Sequence, residues 1–482
     1  MSKSFLLRVE GVNLANVLED TKQLSVVRGS GLLLRQAVKD IAKKFKELQE
    51  ISLGASVGLF KFEVENLTQA IDQKNDIKKY LTTHFRYQYF TFVVDVQEIK
   101  SNDFKIAHEQ VISKNHFNQF QQLTIVVPEF NKNKSILPCT LDNMRPEEIR
   151  NKSASTQIRF DYGRRAKQLF FKYEQVSFIK TNFVNNLKEL AETNLEKIGN
   201  LKDKIAVLYF DGNGFGNIQS KCNTLEDLKN FDDTVQNARK TWLSNFLKHI
   251  KNDPDFLTDN RNKIRLEILL WGGDEVLLVV PAWCGFKTLQ HFYNHDWKSL
   301  THAGGLVFCH ANAPIQRIQK VAKELAEITK ENCEKQGNKN VDAFEYVVLE
   351  SIDFPAESIN RFWEKRYGDY LTWGRIPLSA KNLKKCSLVE ELKILSDISR
   401  SQAYRIANSA TKTKILFEKD KKRFESVIKG TPEEVQEILK KWENLLNLLF
   451  PELSQRWQWL HIAELWDYLA ILSNKENGEK NG

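Results

Sequence analysis

The sequence predicts an α+β protein with small, mainly antiparallel sheets covered by helices, followed by a helical region at the carboxy-terminal end. Three observations carry this prediction. Apolar runs of strand length alternate with stretches of helical spacing, the plan of the first hundred residues returns after residue 200, and the pattern turns mainly helical after about residue 353.

In chain order, 6-LLRVEGVNLANVL-18 begins as a strand and reaches Glu10-Gly11. Residues 53-LGASVGLFKF-62 align with a later hairpin, 67–83 predict a helix and 90–99 a strand. Residues 129–168 are polar and weakly periodic, with Pro138, Pro146 and Gly163, which predicts an elaborated connector. The apolar strand 204-KIAVLYFDG-212 stops at a carboxylate, Asp211, and gives way to a glycine-rich loop. Helical spacing follows at Phe231, Val235, Ala238, Trp242 and Phe246. Two apolar runs over 264–281 are joined by Gly272-Gly273-Asp274-Glu275, a hairpin with both carboxylates expected at its tip. A helix over 286–295, a strand over 302–311, a helix opened by Pro314 and a strand over 343–350 complete a ferredoxin-like order.

Aligning 6–18 with 207–219 without a gap places Glu10-Gly11 on Asp211-Gly212. Aligning 53–62 with 271–280 places Gly54 on Gly272, but Ser56 and Val57 on Asp274 and Glu275. The reading is a duplication whose first copy lacks the carboxylate pair. The expected division is a degenerate first domain (1–128), a connector (129–200), a catalytic domain (201–352) and a mainly helical domain (353–482). In the last of these, Thr431-Pro432-Glu433-Glu434 reads as a helix start with a capping box.

A chain of 482 residues exceeds the usual single-domain size, and 41% hydrophobic with 28% charged residues describes a globular protein. The net charge of +9 permits polyanionic partners and equally an ordinary solvated surface. The first residues carry no leader-type pattern, and the most apolar stretch, 265–283, is broken by Glu267, Asp274 and Glu275. A cytoplasmic protein without membrane contact is expected. Six cysteines lie far apart with no CxxC pair, which predicts reduced thiols and speaks against a zinc ribbon.

Chemistry enters through the carboxylates. Gly-Gly-Asp-Glu alone is an ordinary hairpin turn, and Asp-Gly a common turn dipeptide. In a ferredoxin-like sheet, however, the strand ending at Asp211 neighbours the second hairpin strand, so Asp211, Asp274 and Glu275 would share one small volume. Carboxylates that close repel unless a divalent cation neutralises them, and magnesium or manganese suits such oxygen ligands. Two such ions could activate a 3′-hydroxyl and stabilise departing pyrophosphate, while Gly212, Gly214 and Gly216 would let backbone N–H groups approach a triphosphate. The combination describes nucleotidyl transfer.

With these residues in view, the chain resembles the palm-domain nucleotidyl cyclases, and within them the large polymerase-like subunit of type III CRISPR effector complexes. The resemblance covers roughly residues 1–352 and rests on 211-DGNGFG-216, 272-GGDE-275, 304–333 and 22-KQLSVVRGSGLLL-34. It implies tandem palms, the first degenerate, making cyclic oligoadenylates from ATP with two Mg²⁺ or Mn²⁺ ions. It further implies Asp211, the Gly212 carbonyl, Asp274 and Glu275 as metal ligands. Nucleotide contacts are expected from Gly212, Asn213, Gly214, Phe215, Gly216, Gly272, Gly273 and Lys330, with Lys339 a weaker candidate. Ser56 would wall an acceptor nucleotide between the two palms. Implied partners are nucleoside triphosphates, guide and target RNA and other effector subunits, and a dimer is allowed.

The chain departs from the family at Glu275, where relatives carry Asp, and at Asn213, where many carry a second Asp. A cysteine cluster is reduced to Cys139. Two rival readings stay open, a cyclic-dinucleotide synthase using GTP or both purines and an inactive palm scaffold in an RNA-guided complex. Gln219 stands where GGDEF cyclases read guanine with Asn, favouring adenine. Trp442, Trp457, Trp459 and Trp466 suit core packing better than base stacking. Residues 361–375 are expected to form a loop, with RNA contact or a packed surface as its two readings.

Overall fold

The computed structural model describes residues 2–100, 103–126, 137–174, 182–349, 355, 357–367, 378–381, 383, 388–451 and 453–473. The first sheet is built from β1 (Lys3–Val12), β2 (Gln49–Leu53), β3 (Val57–Val64) and β4 (Thr91–Glu98), in the order β2-β3-β1-β4. After the single turn α1 (Ala15–Leu18), α2 (Leu24–Lys44) and then α3 (Leu67–Thr83) and α4 (Phe104–Gln119) surround it. Asn66 caps α3 by accepting from the Gln69 N–H.

After the connector helix α5 (Ala154–Tyr173), a short parallel ladder joins β5 (Asn182–Phe183) to β7 (Lys263–Ile264), and α6 (Leu187–Ala191) precedes the central strand. The second sheet contains β6 (Lys204–Gly212), β8 (Glu267–Gly272), β9 (Glu275–Pro281), β10 (His302–His310), β11 (Ala343–Leu349) and β12 (Leu378–Ser379). Its order is β12-β11-β10-β6-β9-β8. Between the strands run α7 (Phe215–Ser220), α8 (Leu225–Asn252), α9 (Gly285–Tyr293) and α10 (Ile315–Lys335). Leaving out β11 and β12, the two sheets have the same strand order. Their register agrees as well. Glu10 faces Val57 across β1 and β3, and the β6–β9 ladder, ending at Phe210 opposite Val276, points Asp211 toward Glu275.

Strand β6 is covered on both faces. Ala206, Leu208 and Phe210 enter a core with α8 and α9, while Ile205, Val207 and Tyr209 enter another with α10. Period-2 alternation therefore carries Asp211 to the α10 side. The remaining helices are α11 (Ile359–Tyr367), α12 (Leu388–Leu392), α13 (Arg400–Ala410), α14 (Lys414–Val427), α15 (Pro432–Leu449) and α16 (Gln455–Ser473). Helix α16 enters both cores of the second sheet: its Tyr468 stacks on Phe308 at 3.9 Å, and His461 Nδ1 lies 2.6 Å from the Tyr346 hydroxyl. Trp442, Trp457, Trp459 and Trp466 are all buried, in keeping with core packing. The Thr431–Glu434 capping box is formed.

Two expectations are corrected. The stretch 154–173, read as irregular connector, is a twenty-residue helix. Its buried side mixes Ser155, Thr156 and Arg159 with Ala166, Phe170 and Phe171, with Gly163 at the point of closest approach, so its hydrophobic periodicity is diluted by polar residues. Of the expected loop 361–375, residues 361–367 are helical with Trp363 and Tyr367 buried, which removes these two rings from any RNA surface; 368–375 lie outside the described residues.

Helices α2 and α5 cross with almost no separation. A Cβ on Gly29 would lie 1.9 Å from the Arg159 carbonyl oxygen, and one on Gly163 would lie 1.9 Å from the Ser25 carbonyl oxygen. On its other side α2 meets β8, where a Cβ on Gly31 would come 2.9 Å from the Leu269 carbonyl oxygen. Buried ion pairs span the seam. Arg28 donates to both carboxylate oxygens of Glu267, which also accepts from Lys167 at 2.7 Å. Arg35 holds Glu174, which in turn accepts from Trp271 Nε1 at 3.0 Å. The connector adds a loop in which Arg145 and Arg159 both pair with Asp20, and Asp142 accepts from the Met144 and Arg145 N–H groups. Cys139 is buried there, 3.4 Å from the Thr156 hydroxyl.

Because backbone atoms fill the space, Gly163→Ala should cost about 3 kcal/mol of stability. Gly216→Ala, where a Cβ would meet nothing within 4 Å, should change stability by less than about 0.5 kcal/mol. Urea unfolding of the two variants beside the parent chain measures both.

Candidate active site

The strand end at β6 and the β8–β9 hairpin meet as their sequences require. The hairpin turn is Gly273-Asp274, with Gly273 at φ 54°, in the left-handed region a two-residue turn uses. Asp274 sits at the tip, whereas Glu275 is the first residue of β9, paired with Gly272, so only one of the two carboxylates lies in the turn itself.

Each acid has a partner from another element. Lys330 of α10 donates to Asp211 Oδ2 at 2.7 Å and to the Gly212 carbonyl at 2.8 Å. The Tyr209 hydroxyl donates to Glu275, and Lys323 Nζ lies 3.6 Å from the same carboxylate and 5.2 Å from the Tyr209 ring centre. Lys323 and Lys330 are two helical turns apart and so share one face of α10. Burial pushes the Asp211 carboxyl above its ordinary value in spite of Lys330. Burial, followed by the Asp211 charge, pushes Asp274 up to about 6. Tyr209 is driven well above the usual phenol range by burial and by Glu275, so it is a proton donor at neutral pH.

The loop after β6 is a packed structure. A Cβ on Gly212 would lie 2.2 Å from the Phe215 ring, so this position admits only glycine while that ring stays in place. Phe215 is 6% exposed and packs edge-on against Phe231 at 5.6 Å, leaving its backbone N–H as what it can offer a ligand. The Asn213 side chain is spent on the Thr301 hydroxyl at 3.1 Å and the Val341 carbonyl at 2.9 Å. Gly214, at φ 66°, turns the chain into α7, and Gly216 stands beside open space. Lys339 is exposed and paired with Glu334.

The first sheet reaches the site through its own hairpin. A Cβ on Gly272 would lie 2.3 Å from the Ala55 Cα, so the two hairpins touch backbone to backbone. Ser56 adjoins this contact and accepts from the Gly11 N–H at 2.8 Å through its carbonyl. Glu10, the counterpart of Asp211, pairs with Arg8 on its own strand at 2.8 Å.

Sequence reasoning missed three residues. Arg239 of α8 is fully buried, donates to the Gly273 carbonyl at the hairpin tip and lies 5.4 Å from the Trp271 ring centre. Among the described residues its Nε and Nη2 have no acceptor, and burial lowers its pKa to about 10. Tyr209 and Lys323 are the others. The available signals were an arginine on the buried side of an amphipathic helix, and lysines spaced seven apart opposite a strand-end acid.

A divalent cation fits the strand end, because Asp211 Oδ2 and the Gly212 oxygen already converge on one cationic nitrogen. Among the described residues, however, no group of three or more His, Cys, Asp or Glu side chains is gathered as a metal cage. Glu275, expected as a ligand, is turned to Tyr209 and Lys323. Nor is any helix among them long and apolar enough to cross a membrane.

Strand order and acidic hairpin together define a palm-type α+β fold. Among solved structures, this is the fold of Csm1. A Csm1-Csm4 cassette in complex with cA4 superposes with a TM-score of 0.53 at 12% identity, covering 97% of this chain and 70% of the other. A cassette in complex with AMPPNP gives 0.53 at 12% identity, with 98% and 70% covered. Csm1 from T. onnurineus gives 0.51 at 12% identity, also with 98% and 70% covered. At this identity the likeness is one of fold. No family model matches the chain, and no curated protein matches it in sequence.

The raised Asp274 carboxyl has a consequence for stability. The folded chain binds its proton more tightly than the unfolded chain, whose Asp ionises near 3.8, so this residue's contribution to stability is present below about pH 4 and is lost as pH rises through 6. Without metal, Asp274→Asn should therefore melt at a higher temperature than the parent at pH 7.5, and the gain should vanish near pH 4. Melting curves in chelator across that range measure it. A second expectation concerns Arg239→Met, which should speed amide hydrogen exchange at residues 272–276 at least tenfold while β6 stays protected; exchange mass spectrometry reads this out.

Proposed function

We propose that the chain is a nucleotidyltransferase that joins ATP into cyclic oligoadenylates, acting with other subunits of an RNA-guided effector complex. The observation that carries this reading is that Asp211 ends its strand beside the hairpin bearing Asp274 and Glu275, with Lys330 and Lys323 of α10 paired to Asp211 and Glu275, in a fold shared with cassettes held in complex with cA4 and AMPPNP.

The residues divide the work. Asp211, the Gly212 carbonyl and Asp274 would hold magnesium or manganese, which when bound supplies charge neutralisation for an attacking 3′-hydroxyl and a departing pyrophosphate. Lys330 and Lys323 offer positive charge to the triphosphate. The first turn of α7 has N–H groups without intrahelical acceptors, and Gly216 keeps their approach open. Arg239 fixes the backbone that carries Asp274. Glu275, held by the Tyr209 hydroxyl, is best placed to shape the field around the metal site.

A single acidic strand end supplies one donor site, whereas ring closure also needs a second nucleotide whose hydroxyl attacks. That nucleotide would lie where the two sheets adjoin, beside the contact of Ala55 with Gly272, with Ser56 on its wall. The sheets are then unequal in role. Glu10 is occupied by Arg8, and Val57 faces it where the second sheet has Glu275.

The test is mass spectrometry of products after incubation with mixed nucleoside triphosphates and magnesium. Adenylate rings are expected; guanine-only product would replace this reading by a GTP-using synthase, and absence of any product with the complete complex would leave a scaffold. Asp211→Asn and Asp274→Asn should each lower turnover by roughly three orders of magnitude or more. Glu10→Gln and Ser56→Ala should stay within about tenfold of the parent, since no acidic pair remains there to hold a metal. Equal damage from both sets, at matched thermal stability, would move the working site away from residues 204–352.

A further inference from the structure

Lys330 stands where the functional reading puts a metal. Its ammonium binds Asp211 Oδ2 and the Gly212 carbonyl together, and these are two of the oxygens assigned above to a divalent ion. An ammonium and a divalent cation on the same oxygen pair would bring like charges within roughly 4 Å in a half-buried site, where screening is weak. Both do not fit at once. Lysine also has somewhere to go, because its flexible four-carbon stem lets the head swing to another anion, and its side chain is 33% exposed.

We propose that Lys330 is an internal counter-ion that holds the strand-end oxygens in the place of a divalent cation and releases them when a nucleotide phosphate takes its ammonium. The inference rests on the functional reading and adds an order of events to it. Metal and nucleotide enter together, each opening the site to the other, and metal alone is resisted. Lys330 then has two positions, one on the strand-end oxygens and one on phosphate. It keeps two oxygen ligands aligned in the empty protein, and its transfer to phosphate is what admits the ion.

The test uses the full chain with Mn²⁺ alone, followed by electron paramagnetic resonance, and Mg²⁺ with AMPPNP, followed by calorimetry. Lys330→Met and Lys330→Gln should each tighten binding of Mn²⁺ alone at least tenfold while weakening AMPPNP at least tenfold. Lys323→Met removes equal charge beside Glu275 without vacating the oxygen pair, and should change Mn²⁺ affinity less than threefold. In the parent, AMPPNP should strengthen Mn²⁺ binding, and this coupling should fall in the Lys330 variants. If Mn²⁺ binds in an Asp211-dependent way but the Lys330 variants leave its affinity unchanged, or if Lys323→Met matches them, the counter-ion role is wrong and the functional reading stands. If neither the parent nor any folded variant binds Mn²⁺ or AMPPNP, both fall together.

Discussion

Everything at the site depends on how closely α2 can approach α5 and β8. That distance is set by the absence of three side chains, at Gly29, Gly31 and Gly163, and is locked by carboxylates buried on the second-sheet side of the seam. Arg28 and Lys167 hold the Glu267 carboxyl below its usual range, and Arg35 holds Glu174 near 2. Such pairs contribute little net stability over an apolar core, yet removing one partner strands a charge at about 3–5 kcal/mol. The seam therefore specifies one docking geometry and disfavours others. Its product is the backbone contact between Gly272 and Ala55.

The site is built by two kinds of element with separate tasks. Strands fix the positions of the acids through ladder register, which admits no gradual error because a one-residue slip would send Asp211 to the opposite face. Helices supply the charges that make those acids tolerable: α10 through Lys323 and Lys330, α8 through Arg239. In the first sheet the acid Glu10 is answered by Arg8 two residues earlier on the same strand. A locally neutralised acid asks nothing of the surrounding fold, whereas one neutralised by a distant helix depends on the whole domain being folded.

How much of this could be read in advance follows from where the information lies. Strand β6, the hairpin at 272–275 and their adjacency were legible because apolar runs, turn glycines and acids are local signals, and α3 was found at its observed bounds. Helix α5 was not, because it packs by letting backbones touch, so its informative residue, Gly163, looked like a loop breaker. The partners Tyr209, Lys323 and Arg239 were missed for another reason. Each is an ordinary residue in its own segment and acquires a role only from what the fold sets opposite it. Phe215 and Asn213 show the converse, being conspicuous in a motif yet occupied largely with holding its loop in shape.

The Gly272–Ala55 contact changes what sequence drift can do to the first sheet. It carries Val57 opposite Glu10 where the second sheet has Glu275, and its hairpin tip is pressed against the second sheet's hairpin like a mould against a casting. Mutations there are filtered by size rather than by charge. The hairpin without the acid pair is held to its shape by this contact, and it sets the space open to the hairpin that has the pair.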